Sequence, residues 1–161
     1  MTDGGAALAL TSPAFDDGAA IPTEHTCDGA DRSPELTVAN APDATEAFAL
    51  LVDDPDAPSA EPFVHWVLFD VPADTETVPA DVPADERVLD GAGQGTNGFG
   101  SLGYRGPCPP RGDGPHTYRF RLFALDSETE LAPGASRDDL LAAVEERTVA
   151  RTTLTGTYER A

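Results

Sequence analysis

Three carboxylates follow one strongly apolar segment and could act as general acids, as metal ligands or as groups that orient other residues. Asp53, Asp54 and Asp56 come directly after the apolar run 47–52, within D-D-P-D-A-P. The two prolines restrict the backbone, which predicts a stiff turn at the end of a strand. Turns of this composition are also ordinary surface features, so the carboxylates alone do not define a site.

Two histidines could join them. His65 lies in an apolar segment beside Trp66, where a histidine is more often a core residue than a catalyst. His116 opens a segment directly after a long Gly/Pro loop. Histidine pairs bind metals, transfer protons or bind anions, and at this point all three roles stay open. His25 has no special context.

The stretch Gly103–Pro110, G-Y-R-G-P-C-P-P, predicts a rigid, shaped loop. Glycine lets the backbone approach a ligand closely, and consecutive amides can cradle an anion. The alternative is a structural turn without a ligand.

Gly93–Gly98 spells G-x-G-x-x-G, but F-G-S-L-G-Y follows, which is a poor start for the helix that a nucleotide site requires. Ser101 is not in G-x-S-x-G, so a hydrolase nucleophile is unsupported.

Short segments between many turn residues favour an all-β domain. Strands are predicted at 36–40, 47–52, 63–71, 116–125 and 151–158, with loops at 72–87 and 91–114. The run 47–52 is continuously apolar, as in a strand buried on both faces. Alternation after His116 places Tyr118, Phe120 and Leu122 on one face.

One helix is predicted after Ser136. The sequence S-R-D-D provides a hydroxyl cap with a carboxylate three residues later. Leu140, Leu141 and Val144 then share one helical face.

The composition excludes several classes of function. The chain has 161 residues and a formal charge of −19, and all ten basic residues are arginine. The length suits one domain, 1–161. The charge argues against nucleic acid and anionic membranes as partners. The chain has no run of about 20 apolar residues, so we do not expect stable membrane insertion.

The same composition predicts a cellular setting. An acidic, lysine-free surface is typical of an acidic, halophilic protein in a salt-rich cytoplasm; the alternative is an acidic protein from a GC-rich mesophile. The first residues lack a positively charged leader region, so we expect a cytoplasmic protein. There the default for Cys27 and Cys108 is two thiols, although their pairing is left open.

Taken together, these motifs resemble the phosphatidylethanolamine-binding protein family, in its bacterial and archaeal Raf-kinase-inhibitor-like branch. The segments D-P-D-A-P, the His-Trp strand, G-Y-x-G-P-C-P-P and H-x-Y-x-F-x-L occur in the family's order. The resemblance extends from about Leu8 to Arg160 and includes T-C-D-G near the start and Thr155–Tyr158 in the last strand.

The resemblance implies a Greek-key-like β-sandwich of two antiparallel sheets with a short helix in the C-terminal region. It also implies a small pocket for phosphate, acetate or a phospholipid headgroup, with no cofactor and no metal. By motif position the pocket residues are Asp54, Asp56, Pro58, His65, Gly106, Pro107, His116 and Tyr118.

Such a pocket is chemically reasonable in this chain. The aspartates would bias both histidines towards imidazolium, and an imidazolium donates a charge-assisted hydrogen bond to an anion. The Gly106 amide and the Tyr118 hydroxyl would add donors.

The sequence therefore predicts a non-enzymatic binding protein for a small anionic or phosphorylated ligand. One alternative is an interaction module that regulates a kinase or inhibits a protease. The other is a metal-dependent hydrolase that uses Asp53, Asp54, Asp56, His65 and His116. A homodimer and a protein partner are left open.

Overall fold

Two antiparallel sheets build the protein, in a computed structural model that describes residues 7–57 and 61–160. Within these residues the three-stranded sheet has the order β1-β2-β5 and the six-stranded sheet the order β6-β7-β4-β3-β8-β9. The strands are β1 (Ala9–Thr11), β2 (Leu36–Ala39), β3 (Ala47–Asp54), β4 (Phe63–Pro72), β5 (Thr77–Val78), β6 (Arg87–Val88), β7 (Ala92–Gln94), β8 (His116–Leu125) and β9 (Thr148–Tyr158). The predicted all-β architecture of two antiparallel sheets with one short helix is confirmed.

Strand β3 lies at the centre of the larger sheet, between β4 and β8. Phe48, Leu50 and other side chains on one face pack into the core between the two sheets. Ala49 and Leu51 on the opposite face pack under the helix. All eight residues of β3 are buried, which explains its continuous apolar sequence. In β8, Tyr118, Phe120 and Leu122 share the inter-sheet core, as their alternation predicts.

The helix α1 (Arg137–Glu145) begins as predicted. The Ser136 hydroxyl accepts a hydrogen bond from the Asp139 amide, and the Asp139 carboxylate accepts one from the Ser136 amide, both at 3.1 Å. Leu140 and Val144 pack onto the outer face of the large sheet, and Leu141 lies partly buried beside them. Within the described chain, no helix has the length and hydrophobicity to cross a bilayer.

Two predictions about loops are wrong in detail, because short strands form inside both segments. Residues 72–87 contain β5, and residues 91–114 contain β7, which pairs with β4. Strands of two or three residues are too short to show a period in sequence. Gly93 is needed in β7 because a Cβ there would lie 2.7 Å from the Phe69 ring. The G-x-G-x-x-G pattern thus serves strand packing here.

The predicted turn after residue 52 also begins later than expected. Asp53 and Asp54 are the last two residues of β3; Asp53 is paired with both β4 and β8, and Asp54 with β4. Because successive side chains in a strand point to opposite faces, these two carboxylates diverge.

Cys27 and Cys108 form a disulfide, so the default expectation of two free thiols is wrong. The bond joins the loop after the short 3₁₀ helix Thr23–His25 to the Gly/Pro loop. The Cys27 amide also donates to the Pro107 carbonyl at 3.1 Å. Two connections therefore fix the Gly/Pro loop against the N-terminal part of the chain.

Candidate functional site

A cavity of about 300 Å³ opens where β3 ends and β4 and β8 begin. Four of its wall residues were predicted from the sequence: Asp54, His65, His116 and Tyr118. The other wall residues are Ala57, Phe63, Phe99, Cys108, Pro109 and Pro110. The polar groups lie on the three central strands, and the apolar wall comes from the loops and the start of β4.

Asp54 and His116 form a buried ion pair at one side of this cavity. The His116 Nδ1 donates to the Asp54 Oδ2 at 2.7 Å, and the two side chains are 4% and 5% exposed. The other Asp54 oxygen accepts the Asp56 amide at 2.8 Å, so the D-P-D turn fixes the carboxylate.

His116 also has a second carboxylate partner. Its Nε2 lies 2.6 Å from the Asp113 Oδ2. Ionised carboxylates only accept hydrogen bonds, so this arrangement favours the imidazolium form of His116, with a proton on each ring nitrogen. Burial alone would lower the pKa of His116, but the bonds to Asp54 and Asp113 raise it above its ordinary value. Both effects act in the direction of the predicted imidazolium.

His65 behaves differently, because its surroundings favour the neutral ring over the predicted second imidazolium. Its Nδ1 faces the Arg105 carbonyl at 2.7 Å, so this nitrogen carries the proton. Burial lowers the pKa of His65 more than nearby carboxylates raise it. The ring is therefore neutral, and its Nε2 has a lone pair that can only accept a hydrogen bond.

Tyr118 offers a buried hydroxyl that approaches the Asp54 carboxylate but has no well-formed hydrogen bond to the described residues. Its side chain is 1% exposed, and its hydroxyl finds no hydrogen-bond partner in the described parts of the chain. Burial and the nearby Asp54 carboxylate raise the pKa of Tyr118 far above its ordinary value, so the phenol keeps its proton. An unpartnered buried hydroxyl costs about 1–3 kcal/mol, a cost that a ligand acceptor would remove.

The aromatic side chains form the apolar wall. The rings of Phe63 and Phe99 meet edge to face with centroids 4.9 Å apart, and Phe63 lies 5.2 Å from His65. The Arg105 guanidinium covers the outer side of Phe99 at 4.8 Å. Phe99 is 43% exposed, so this wall reaches solvent at the mouth of the cavity.

The structure places three other predicted site residues, Gly106, Pro107 and Asp56, outside the cavity wall. The Gly106 amide, predicted as an anion donor, donates to the Asp31 Oδ1 at 2.7 Å, and a Cβ at Gly106 would collide with the His25 carbonyl. Pro107 accepts a hydrogen bond from Cys27 instead of lining the cavity. Asp56 is exposed, and its carboxylate accepts the Thr117 amide at 2.9 Å. Pro58 lies outside the described residues.

Asp53 is removed from this site by its position on β3. Its carboxylate faces the helix side of the sheet and binds Arg119 and Arg121 at 2.8–2.9 Å. The five-residue constellation of the hydrolase alternative is therefore divided between two faces of the sheet. In the described ranges, no group of three or more His, Cys, Asp or Glu side chains is arranged to hold a metal ion.

The comparisons decide the family. The sequence profile of the phosphatidylethanolamine-binding protein family matches residues 11–159. The chain belongs to this family.

Individual relatives agree with the family assignment. A UPF0098 protein of Methanothermobacter thermautotrophicus is 46% identical over 151 residues, which cover 94% of this chain and 98% of that protein. Among solved structures, Escherichia coli YbcL, described as a new member of the mammalian PEBP family, matches with a TM-score of 0.91 and 34% identity, covering 97% of this chain and all of that one. A PEBP homologue, CT736 of Chlamydia trachomatis, matches with a TM-score of 0.87 and 32% identity, covering 96% and 99%. The family description names binding and no reaction.

Sequence reasoning missed Asp113 and the aromatic wall. Asp113 lies three residues before His116, so D-x-x-H was visible, but a loop aspartate in so acidic a chain carries little information. Phe63 and Phe99 come together only through folding, since 36 residues separate them in sequence.

Proposed function

We propose that this protein binds a small anion in the cavity beside His116, and that it does so without catalysing a reaction on it. The anion is a carboxylate or a tetrahedral oxyanion, either free or as the phosphate of a lipid headgroup. The observation that carries the proposal is the buried His116 side chain, whose Nε2 already binds one carboxylate, that of Asp113.

The Tyr118 hydroxyl supports the same proposal. It is a buried donor without a partner among the described residues, in the wall of the same cavity as His116. An anion that accepts from both groups would use one charge-assisted and one neutral hydrogen bond.

The absence of catalysis is part of the proposal, and the lining residues support it. Among the described residues that line the cavity, none is serine, threonine or lysine, and Cys108 is in a disulfide. The site thus has a fixed cation and a hydrogen-bond donor but lacks the usual activated nucleophile.

We place the function at the cavity in preference to a protein-docking face. Within the described residues, the large hydrophobic side chains that are exposed are Phe99 and Val149. Phe99 packs on Phe63 in the cavity wall, so its exposure belongs to the mouth of the cavity. We also propose a cytoplasmic location, on the acidic, lysine-free composition. The Cys27–Cys108 disulfide does not support it, because disulfides are rare in most cytoplasms; recovery of the protein outside the cytoplasmic fraction of source cells would overturn it.

Calorimetric titration with sulfate tests the site through two matched tyrosine variants. Tyr118→Phe removes only the Tyr118 hydroxyl, which lies near the Asp54 carboxylate without a well-formed hydrogen bond to it. It should weaken sulfate binding about two- to tenfold, the value of one neutral hydrogen bond, while leaving the unfolding free energy equal or higher. Parallel titrations with acetate and with phosphoethanolamine separate a simple anion from a headgroup ligand.

Tyr104→Phe is the control. The Tyr104 hydroxyl donates to the His25 carbonyl at 2.7 Å and is absent from the cavity wall. This variant should lose about 1 kcal/mol of stability and keep the parental sulfate affinity. Equal sulfate binding by Tyr118→Phe and the parent, or no saturable binding by the parent, would overturn the proposed site.

A further inference from the structure

The two carboxylates on His116 are held with different firmness. Asp54 ends a central strand, its side chain is 5% exposed, and its second oxygen accepts the Asp56 amide. Asp113 lies in a loop, its side chain is 47% exposed, and its carboxylate has no other hydrogen bond within the described residues. Asp54 is therefore a permanent partner of His116, whereas Asp113 can leave.

The backbone around Asp113 allows such a movement. Gly112 and Gly114 flank it at φ +78° and +84°, in the left-handed region that glycine adopts without strain. No atom lies within 4 Å of the position a Cβ would take at either glycine. The Gly112 and Asp113 amides donate to the Arg160 and Pro110 carbonyls at 3.0 and 3.2 Å, so the movement is one of the Asp113 side chain into this open space and not of the whole loop. Asp113 is not among the residues that line the cavity, whereas His116 is, so a ligand in the cavity can bond to the His116 Nε2 only after Asp113 has moved away from it.

The charges explain why the movement matters. One imidazolium faces two carboxylates, so the group carries a net charge of −1 while Asp113 is in place, with Asp56 close by. A further anion would be repelled by this arrangement. A monoanion that replaces Asp113 accepts the same hydrogen bond from the His116 Nε2. The net charge around the imidazolium then stays at −1.

We propose that Asp113 is a built-in competitor that occupies the ligand's position on His116, and that anionic ligands bind by displacing it. This proposal rests on the proposed function. Asp113 then sets the affinity threshold of the site, because a tethered carboxylate competes at a high effective concentration.

The test compares sulfate affinity, by calorimetry at one fixed KCl concentration, for the parent, Asp113→Ala and Asp74→Ala. If the Asp113 contact is formed in at least nine molecules of ten, its removal raises the affinity about tenfold or more. Asp74→Ala makes the same change in net charge at an exposed position, in the turn beyond the far end of β4. It should change sulfate affinity less than about twofold.

The outcomes separate the two proposals. If the parent binds sulfate and Asp113→Ala binds it with equal or lower affinity, the competitor proposal is overturned. The proposed anion site is not affected by that result. No binding by the parent or by Asp113→Ala overturns the anion site and the competitor with it. If Asp113→Ala does not fold, Asp113→Asn keeps the side-chain size and an acceptor while removing the charge, and the same gain in sulfate affinity is expected. An equal gain in Asp74→Ala would also overturn the proposal, since net charge alone would then account for it.

Discussion

Replacing Asp53 by asparagine is expected to lower the free energy of unfolding by about 3 kcal/mol. Asp53 is fully buried, and its two oxygens accept three hydrogen bonds from Arg119 and Arg121 at 2.8–2.9 Å. Arg137 approaches the same carboxylate at 4.0 Å. Breaking a buried ion pair from one side costs about 3–5 kcal/mol. The lower end applies because the three arginine side chains are 22–31% exposed, so water can partly solvate them.

Urea denaturation at constant KCl measures this loss, with Asp138→Asn as the control. Asp138 contacts Arg137 at 3.3 Å, but its side chain is 81% exposed, so its replacement should cost less than about 1 kcal/mol. Because Asp53 faces away from the cavity, folded Asp53→Asn should bind sulfate as the parent does. A loss below about 1 kcal/mol for Asp53→Asn would show that this cluster does not stabilise the large sheet as argued.

Four further outcomes are expected. Ser136→Ala removes the capping hydroxyl of α1 and should cost about 1 kcal/mol; an unchanged urea midpoint would contradict the cap. Reducing the bond between Cys27 and Cys108, which are 81 residues apart, should cost about 2–4 kcal/mol; equal melting temperatures with and without reductant would contradict this. The melting temperature should rise from low to molar KCl as the charge of −19 is screened, and a flat or falling curve would refute the halophilic interpretation. Sulfate affinity should fall as pH rises through the pKa of His116, which is raised above its ordinary 6.5, so titrations near pH 6 and near pH 9 are compared; equal affinity at both would contradict the role of the imidazolium.

The sequence predicted the elements whose pattern is long enough to read. The uninterrupted apolar run of β3 indicates burial on both faces of the sheet, and the alternation in β8 indicates which side chains share a face. The capping box before α1 is a local pattern, so it can be recognised without knowledge of the fold. Strands β5 to β7 have two or three residues each, and only their partners define them.

The site was predictable where it depends on strand ends and not where it depends on distant loops. Asp54, His116 and Tyr118 come together because β3 and β8 are neighbours. The Gly106 amide was assigned to a ligand, but it is taken by Asp31, which is 75 residues away in sequence. No local pattern reveals such a contact, and the same holds for the disulfide.

The central claim, that an anion binds at the His116 imidazolium, is tested most directly by NMR of the histidine rings during a sulfate titration near pH 6. The chain has three histidines, so His25, whose Nδ1 contacts the Arg32 carbonyl outside the cavity, is an internal reference. A matched titration with KCl at the same ionic strength removes general salt effects. The account predicts a saturable shift of the His116 Nε2 proton and nitrogen signals, with His25 unchanged. No sulfate-specific shift at His116, or the same shift at all three histidines, would contradict it.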